Sequence, residues 1–414
     1  MTGGAQPLAT AAGRTAELGR LLEFAQRSAV PGAPGFAYLD VRGEPDPTQG
    51  YQLWITARMT HVFGLAHLLG RPDAADLARS GVDALAGAFH DAEHGGWHGH
   101  LGTAGAPVDE RKAMYDHAFV VLASSTAHLA GVPGAEPLLA QALEVVEQHF
   151  WDDDAGSCRE SWDRAWTQTE DYRGTNSAMH GVEAFLAAGA VTGEARWTQR
   201  ALRIAERIVH RVAAERDWRL PEHFDSQWRV RTEYNAGSPA DPFRPYGVTV
   251  GHLLEWARLL LHLESALHEP PQWLLHDATA LFATAVQIGW EADGFPGFLY
   301  TVDWEDAPVV VERMHWVAIE AVMTGEVIAQ RTGRDEHAAW AQRLWRAVEP
   351  FVDRAHGGWH HELDPLGHVT STVWHGKPDA YHAVQGMLLP DLPLTPSLAT
   401  AVAAGSGRTV VPPP

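Results

Sequence analysis

Apolar residues recur at spacings of three and four over most of the chain, the period of a helix with one buried face. The pattern predicts twelve helices, at 11–28, 53–69, 74–89, 112–129, 136–150, 175–188, 194–212, 249–263, 271–288, 314–331, 336–352 and 379–388. They alternate in character. Those starting near 11, 74, 136, 194, 271 and 336 set a charged face against the apolar one, as helices of an outer ring do. The other six are apolar almost all round and read as inner helices.

The connections also look related. HDAEHGGWHGHL (90–101), WDDDAGSCRESWD (151–163), EADGFPGFLYTVD (291–303) and DRAHGGWHHELD (353–364) each follow a helix. Each carries acidic residues and glycine, then a short aromatic stretch that suits a small hairpin. LPEHFDSQW (220–228) is a weaker copy. A repeat of roughly 60–70 residues fits a helical hairpin plus its loop. Six such hairpins predict an all-α fold, an (α/α)6 barrel, in which one catalytic domain spans 1–414 with flexible ends at 1–10 and 404–414. An open helical array is the plain alternative, and the repeat number favours the closed ring.

Each inner helix carries isolated polar or aromatic groups in its first half. They are Arg58, Tyr115, Asn176 with His180, His252 with Glu255, Trp316 with Glu320, and His382. Singly these have dull readings. A lone histidine in an apolar helix is usually a satisfied core residue, and Arg58 can be a structural ion-pair member. His180–Glu183 and His252–Glu255, three residues apart on one face, can be local hydrogen bonds. Together they are harder to dismiss, because in a closed ring six such helices bring these groups to one end of a central cavity.

Composition narrows the chemistry. The chain of 414 residues has a formal charge of -21, which disfavours nucleic acid and anionic membranes as partners. No apolar run is long enough to span a bilayer and the start lacks the apolar stretch of a signal peptide, so a cytoplasmic location is expected. One cysteine, Cys158, excludes an internal disulfide and reads as incidental. There are 24 histidines and 17 tryptophans, groups suited to proton transfer near neutrality and to stacking on sugar rings. No phosphate loop, nucleophile elbow or dinucleotide fingerprint is present. The His/Glu pairs resemble those of di-iron helices, but such centres pack two pairs with further glutamates in a narrow bundle rather than a wide ring, so no metal is expected. Lys112 and Lys377, the two lysines of the chain, are the remaining candidates for covalent catalysis.

Four segments, GTNSAMHGVEAF, PFRPYGVTVGHLLEWARL, RMHWVAIEA and WHGKPDAYHAVQG, resemble the N-acylglucosamine 2-epimerase superfamily, and the likeness runs from about residue 20 to 390. The ending GKPDAYHAVQ is similar to its aldose–ketose isomerase branch. The resemblance implies an (α/α)6 barrel that works without cofactor on a free monosaccharide. It makes His252 and His382 the acid/base pair, and assigns Arg58, Tyr115, Asn176, His180, Glu255, Trp316 and Glu320 to the sugar pocket, with Arg244 and Asp379 from the loops.

The implied reaction interconverts D-mannose and D-fructose, and by extension D-lyxose and D-xylulose, through a cis-enediol. Sugar 2-epimerisation and sulfoquinovose isomerisation are the readings nearest to it. An inverting glycoside hydrolase on the same barrel, working through Glu255, Glu320 or Asp379, is the competitor from another class. Histidine suits enediol chemistry because its reference pKa, about 6.5, keeps both protonation states available.

Overall fold

The computed structural model describes residues 6–405. Outer and inner helices alternate as the periodicity predicts. In chain order they are α1 (Ala11–Ala25), α2 (Leu53–Leu68), α3 (Ala74–Ala86), α4 (Met114–Leu129), α5 (Ala135–Val145), α6 (Thr175–Thr192) and α7 (Ala195–Ala205). Then follow α8 (Val250–Ala266), α9 (Trp273–Gly289), α10 (His315–Thr332), α11 (Asp335–Val348), α12 (Tyr381–Leu388) and α13 (Leu398–Gly405). Inner helices α2, α4, α6, α8, α10 and α12 pack side by side, and α12 returns to α2 to close the ring. Each of the first five packs against the outer helix that follows it, while α12 packs against α1. The chain therefore joins its two ends within one helical pair. This is the (α/α)6 barrel.

One device brings the starts of the first five inner helices to the same end. Before each of the first five lies a two-residue strand that pairs antiparallel with the hairpin leading to the next inner helix. Their registers are Tyr51↔Leu101, Lys112↔Trp162, Arg173↔Phe224, Val248↔Val302 and Arg313↔Leu363. None of these helices has a side-chain N-cap. The hairpin supplies the cap instead. The N–H groups of Leu53, Met114, Thr175, Val250 and His315 donate to the carbonyls of Gly99, Glu160, Glu222, Tyr300 and His361, at 2.8–3.1 Å. These bonds satisfy N–H groups that a helix start leaves bare. The sixth inner helix lacks this strand; there Lys377 N–H donates to the Leu39 carbonyl at 2.8 Å.

The structure bears on three further readings of the sequence. Within the start expected to be flexible, Leu8 is buried and its N–H donates to Glu349 Oε1 at 3.2 Å. Thr10 also caps α1 through the Gly13 N–H at 3.0 Å. At the other end, 404–405 close α13, a helix absent from the expected set, which packs under α2, α4 and α6. The rest of both expected ends lies outside the described residues. Finally, Lys112 and Lys377 are not in a reactive pocket. Each is buried in an ion pair, Lys112 with Asp91 at 3.0 Å and Lys377 with Asp353 at 2.6 Å. Cys158 is buried as well, and burial pushes its thiol up to about 12. No helix among the described residues is long and apolar enough to cross a membrane.

The core holds neutral histidines. Burial lowers His61, His180 and His262 to about 4, and His117 and His315 to about 3. Their folded values lie below the unfolded 6.5, so the unfolded chain binds more protons as pH falls. Their contribution is complete above pH 6.5 and is lost as pH drops toward 4, at up to about 1.4 kcal/mol per histidine per pH unit. The urea midpoint is therefore expected to fall steeply between pH 6.5 and 4.5. A midpoint that stays flat across this range would show that these rings are not held neutral.

Candidate active site

At the capped end of the inner helices lies a pocket of about 610 Å³. Its wall contains Arg58, Tyr115, Asn176, His180, His252, Glu255, Trp316, Asp379 and His382, nine of the eleven residues singled out from the sequence. They come from α2, α4, α6, α8, α10 and the entry to α12.

Two imidazoles are held alike. His252 Nδ1 lies 2.9 Å from both oxygens of Glu222, and His382 Nδ1 lies 3.0 Å from Glu320 Oε1. A carboxylate on Nδ1 fixes a proton there, which leaves Nε2 to the pocket as the working nitrogen. Burial lowers the proton affinity of His382, against the opposing pull of Glu320. Trp316 lies against both rings, with centroid separations of 5.4 Å to His252 and 5.8 Å to His382. The indole reaches this place because Gly251 has no side chain: a Cβ there would meet it at 2.4 Å.

Around the pair stand hydrogen-bond donors. The Arg58 guanidinium donates to Asp379 Oδ2 at 3.1 Å and to the Tyr115 hydroxyl at 3.0 Å. It is also sandwiched by aromatic rings, with Phe119 at 4.4 Å and Tyr381 at 4.8 Å. Among the described residues it is the one Arg or Lys on the pocket wall. His180 is tied through Nδ1 to Glu183 at 3.3 Å, and the Tyr381 hydroxyl donates to the same carboxylate. Glu255 is different. Its Oε1 is buried without a hydrogen-bond partner, and burial with the nearby Glu320 charge pushes its pKa well above the usual carboxylate range.

Two sequence assignments are corrected. Glu320 does not line the pocket. It is fully buried behind His382 and grips Arg258 with both oxygens, at 2.8 and 3.0 Å. Arg244 also stands off the catalytic wall: its guanidinium is turned to Glu170, with bonds of 2.6 and 2.9 Å. The hydrolase reading needs two carboxyl groups facing each other across the sugar. Of its three candidates, Glu320 lies behind the wall on Arg258 and Asp379, though on the wall, is paired with Arg58, so Glu255 is the one that faces the pocket outside such a pair, its Oε1 without a hydrogen bond.

Several residues of the site escape a reading of the sequence. Glu222 lies in the weakest loop copy, and nothing local marks it as the partner of a histidine 30 residues away. His315 and His361 line the pocket as a close, tilted pair, centroids 3.8 Å apart. His315 directly precedes Trp316, the one signal that was available. Trp54, Phe243, Tyr300 and Trp374 complete an aromatic wall. Arg258 follows Glu255 by three residues, the helical spacing that pairs it with the buried carboxylates.

Two groups of side chains could hold a metal ion by geometry, His180–Glu183–Glu255 and Glu255–Glu320–His382, each with ligand atoms within 4.8 Å of one another. Arg258 already places a cation among these carboxylates, 2.8 Å from Glu320 and 3.6 Å from Glu255.

A ring of six helical pairs with two carboxylate-held histidines in a tryptophan-lined pocket is the frame of a sugar isomerase or epimerase. The chain belongs to the N-acylglucosamine 2-epimerase family, whose model matches residues 35–386. It is 55% identical over 390 residues to a D-mannose isomerase of Thermobifida fusca, covering 94% of this chain and 96% of that one. A D-mannose isomerase of Pseudomonas cannabina pv. alisalensis is 46% identical, with 93% of each chain covered. Among solved structures, a D-mannose isomerase superposes with a TM-score of 0.85 at 24% identity, over 92% of this chain and 97% of that one. The family is one of sugar isomerases and epimerases.

Proposed function

We propose that this protein interconverts D-mannose and D-fructose, with no metal or nucleotide, and that His252 and His382 carry the protons. The observation that bears most weight is the matched pair of imidazoles, each anchored at Nδ1 by a buried carboxylate and each facing the same pocket. The likeness to D-mannose isomerases over nearly the whole chain supports the substrate.

The chemistry follows from that pair. One imidazole assists ring opening, in which the O1 hydroxyl proton is lost and the ring oxygen gains one. The open aldose has a C2–H made acidic by the C1 carbonyl. The second imidazole removes that proton, O1 becomes protonated, and a cis-enediol forms. Delivery of a proton to C1, with loss of the O2 proton, gives the ketose. Arg58 and Asn176 are the donors placed to stabilise charge developing on O1 and O2, while neutral His180, with its Nδ1 proton on Glu183, offers Nε2 as an acceptor to a sugar hydroxyl. Trp316 offers a flat face to the sugar.

The test is direct. Protein exhaustively treated with EDTA should convert D-mannose to D-fructose as fast as untreated protein, read by NMR. In deuterated water the fructose should carry label at C1, because a proton held on imidazole exchanges with solvent while the enediol lives. Loss of turnover in EDTA, restored by a divalent ion, would sink the metal-free mechanism. Absence of aldose–ketose conversion would sink the reading itself.

A further inference from the structure

Beside the catalytic pocket lies a larger and more polar cavity that opens to solvent. The two share four wall residues, Trp54, Tyr115, Asn176 and Phe243. Phe243 stands where they meet. Its ring touches Trp54, Tyr115 and Trp374 edge-on, at centroid distances of 6.1, 5.6 and 5.3 Å.

The ring is held in this place by its loop. Asp241 Oδ1 accepts the N–H groups of Phe243 and Arg244, at 3.0 and 2.8 Å. The Arg244 carbonyl accepts from Asn235 Nδ2 at 2.6 Å. The Arg244 guanidinium spans Glu170 and lies 3.9 Å over the Tyr172 ring. Arg244 therefore acts on the site as a positioning residue, through the aromatic ring beside it in the chain.

The outer cavity has the lining of a polyol site. Asp109, Arg111, Glu160, Ser177 and Asp116 offer acceptors and donors together, next to the flat faces of Trp54 and Tyr172. Among the described residues, no hydrogen bond reaches the Asp116 carboxyl, in the first turn of α4. Burial and the nearby Asp109 charge push its pKa up to about 7. Such a group either donates or accepts, as neighbouring sugar hydroxyls require.

We propose that Phe243 sets the length of the substrate: it closes the catalytic pocket around one sugar unit, and without it the outer cavity takes a second unit joined to the first. This inference rests on the proposed aldose–ketose activity. The experiment compares kcat/KM for D-mannose with that for 1,4- and 1,6-linked mannobiose, in wild type and in Phe243→Ala, with Phe243→Leu as a milder variant should the first not fold. The disaccharide-to-mannose ratio is expected to rise at least tenfold for one linkage. Adding Asp116→Leu should abolish that gain, because the second unit loses its anchor. An unchanged ratio in a folded variant overturns the proposal, and so does a wild type that already converts mannobiose as well as mannose. A gain that survives Asp116→Leu overturns the outer cavity as the place of the second unit. Wild type inactive on mannose itself would instead be the failure of the proposed function, and the mannose measurement separates the two.

Discussion

Replacing His382 or His252 with asparagine is expected to slow mannose-to-fructose conversion by at least about 10², the scale of a lost general acid or base. Asparagine keeps a polar group against Glu320 or Glu222, so both variants should fold, with near-wild-type circular dichroism. The two losses should not multiply in the double variant, because one missing proton carrier already stops the sequence of transfers. The pH profile adds a second reading. Burial lowers His382, so its neutral form persists on acidification and the acid limb of kcat should fall below the ordinary 6.5. Near-normal turnover in both single variants would remove the pair from the mechanism.

Much of this site was legible before the fold was seen, and the reason is geometric. An inner helix must be apolar all round, so a polar residue in its first turns stands out against that background. His252, His382, Asn176 and Arg58 stand out in this way, and closure of the ring brings them to one pocket. Glu222 and Arg244 show the limit. Each lies in a loop whose path is set by partners far along the chain, His252 for Glu222 and Glu170, 74 residues away, for Arg244. Local spacing holds no trace of such contacts. Glu320 stands out in the same way, but a helical pattern gives depth along the axis, not the rotation that turns this side chain behind His382, where it orients the imidazole instead of meeting the sugar. The helix α13 was missed because LATAVAAG is short and made of small apolar residues, with no stripe to mark a buried face.

Beneath the pocket, one guanidinium serves three carboxyl groups, and its removal is expected to destabilise the barrel strongly. Arg258 is 2% exposed and fully enclosed. It binds both oxygens of Glu320, at 2.8 and 3.0 Å, and lies 3.6 Å from Glu255. Its charge also helps hold the buried Glu183 carboxyl well below the usual range, although burial pulls the other way and His180 contributes more. Arg258→Met keeps the length of the side chain and removes the charge. Breaking a buried pair on one side costs about 3–5 kcal/mol, because the partner stays charged in a place that water does not reach. The pH dependence identifies the cause. In wild type, burial raises Glu320 but Arg258 and His382 outweigh it, so its folded pKa is depressed. Its contribution is then present above the unfolded value and lost as pH falls through the folded one. In Arg258→Met the same carboxylates have folded values raised above the unfolded ones, and protonation relieves them. The gap in urea midpoint between wild type and variant should therefore be widest at pH 7 and narrow toward pH 5. A gap that is constant with pH would mean that Arg258 acts by packing alone. Activity provides the last check. Glu320 orients His382, so freeing it from Arg258 should lower kcat even at temperatures where the variant is fully folded.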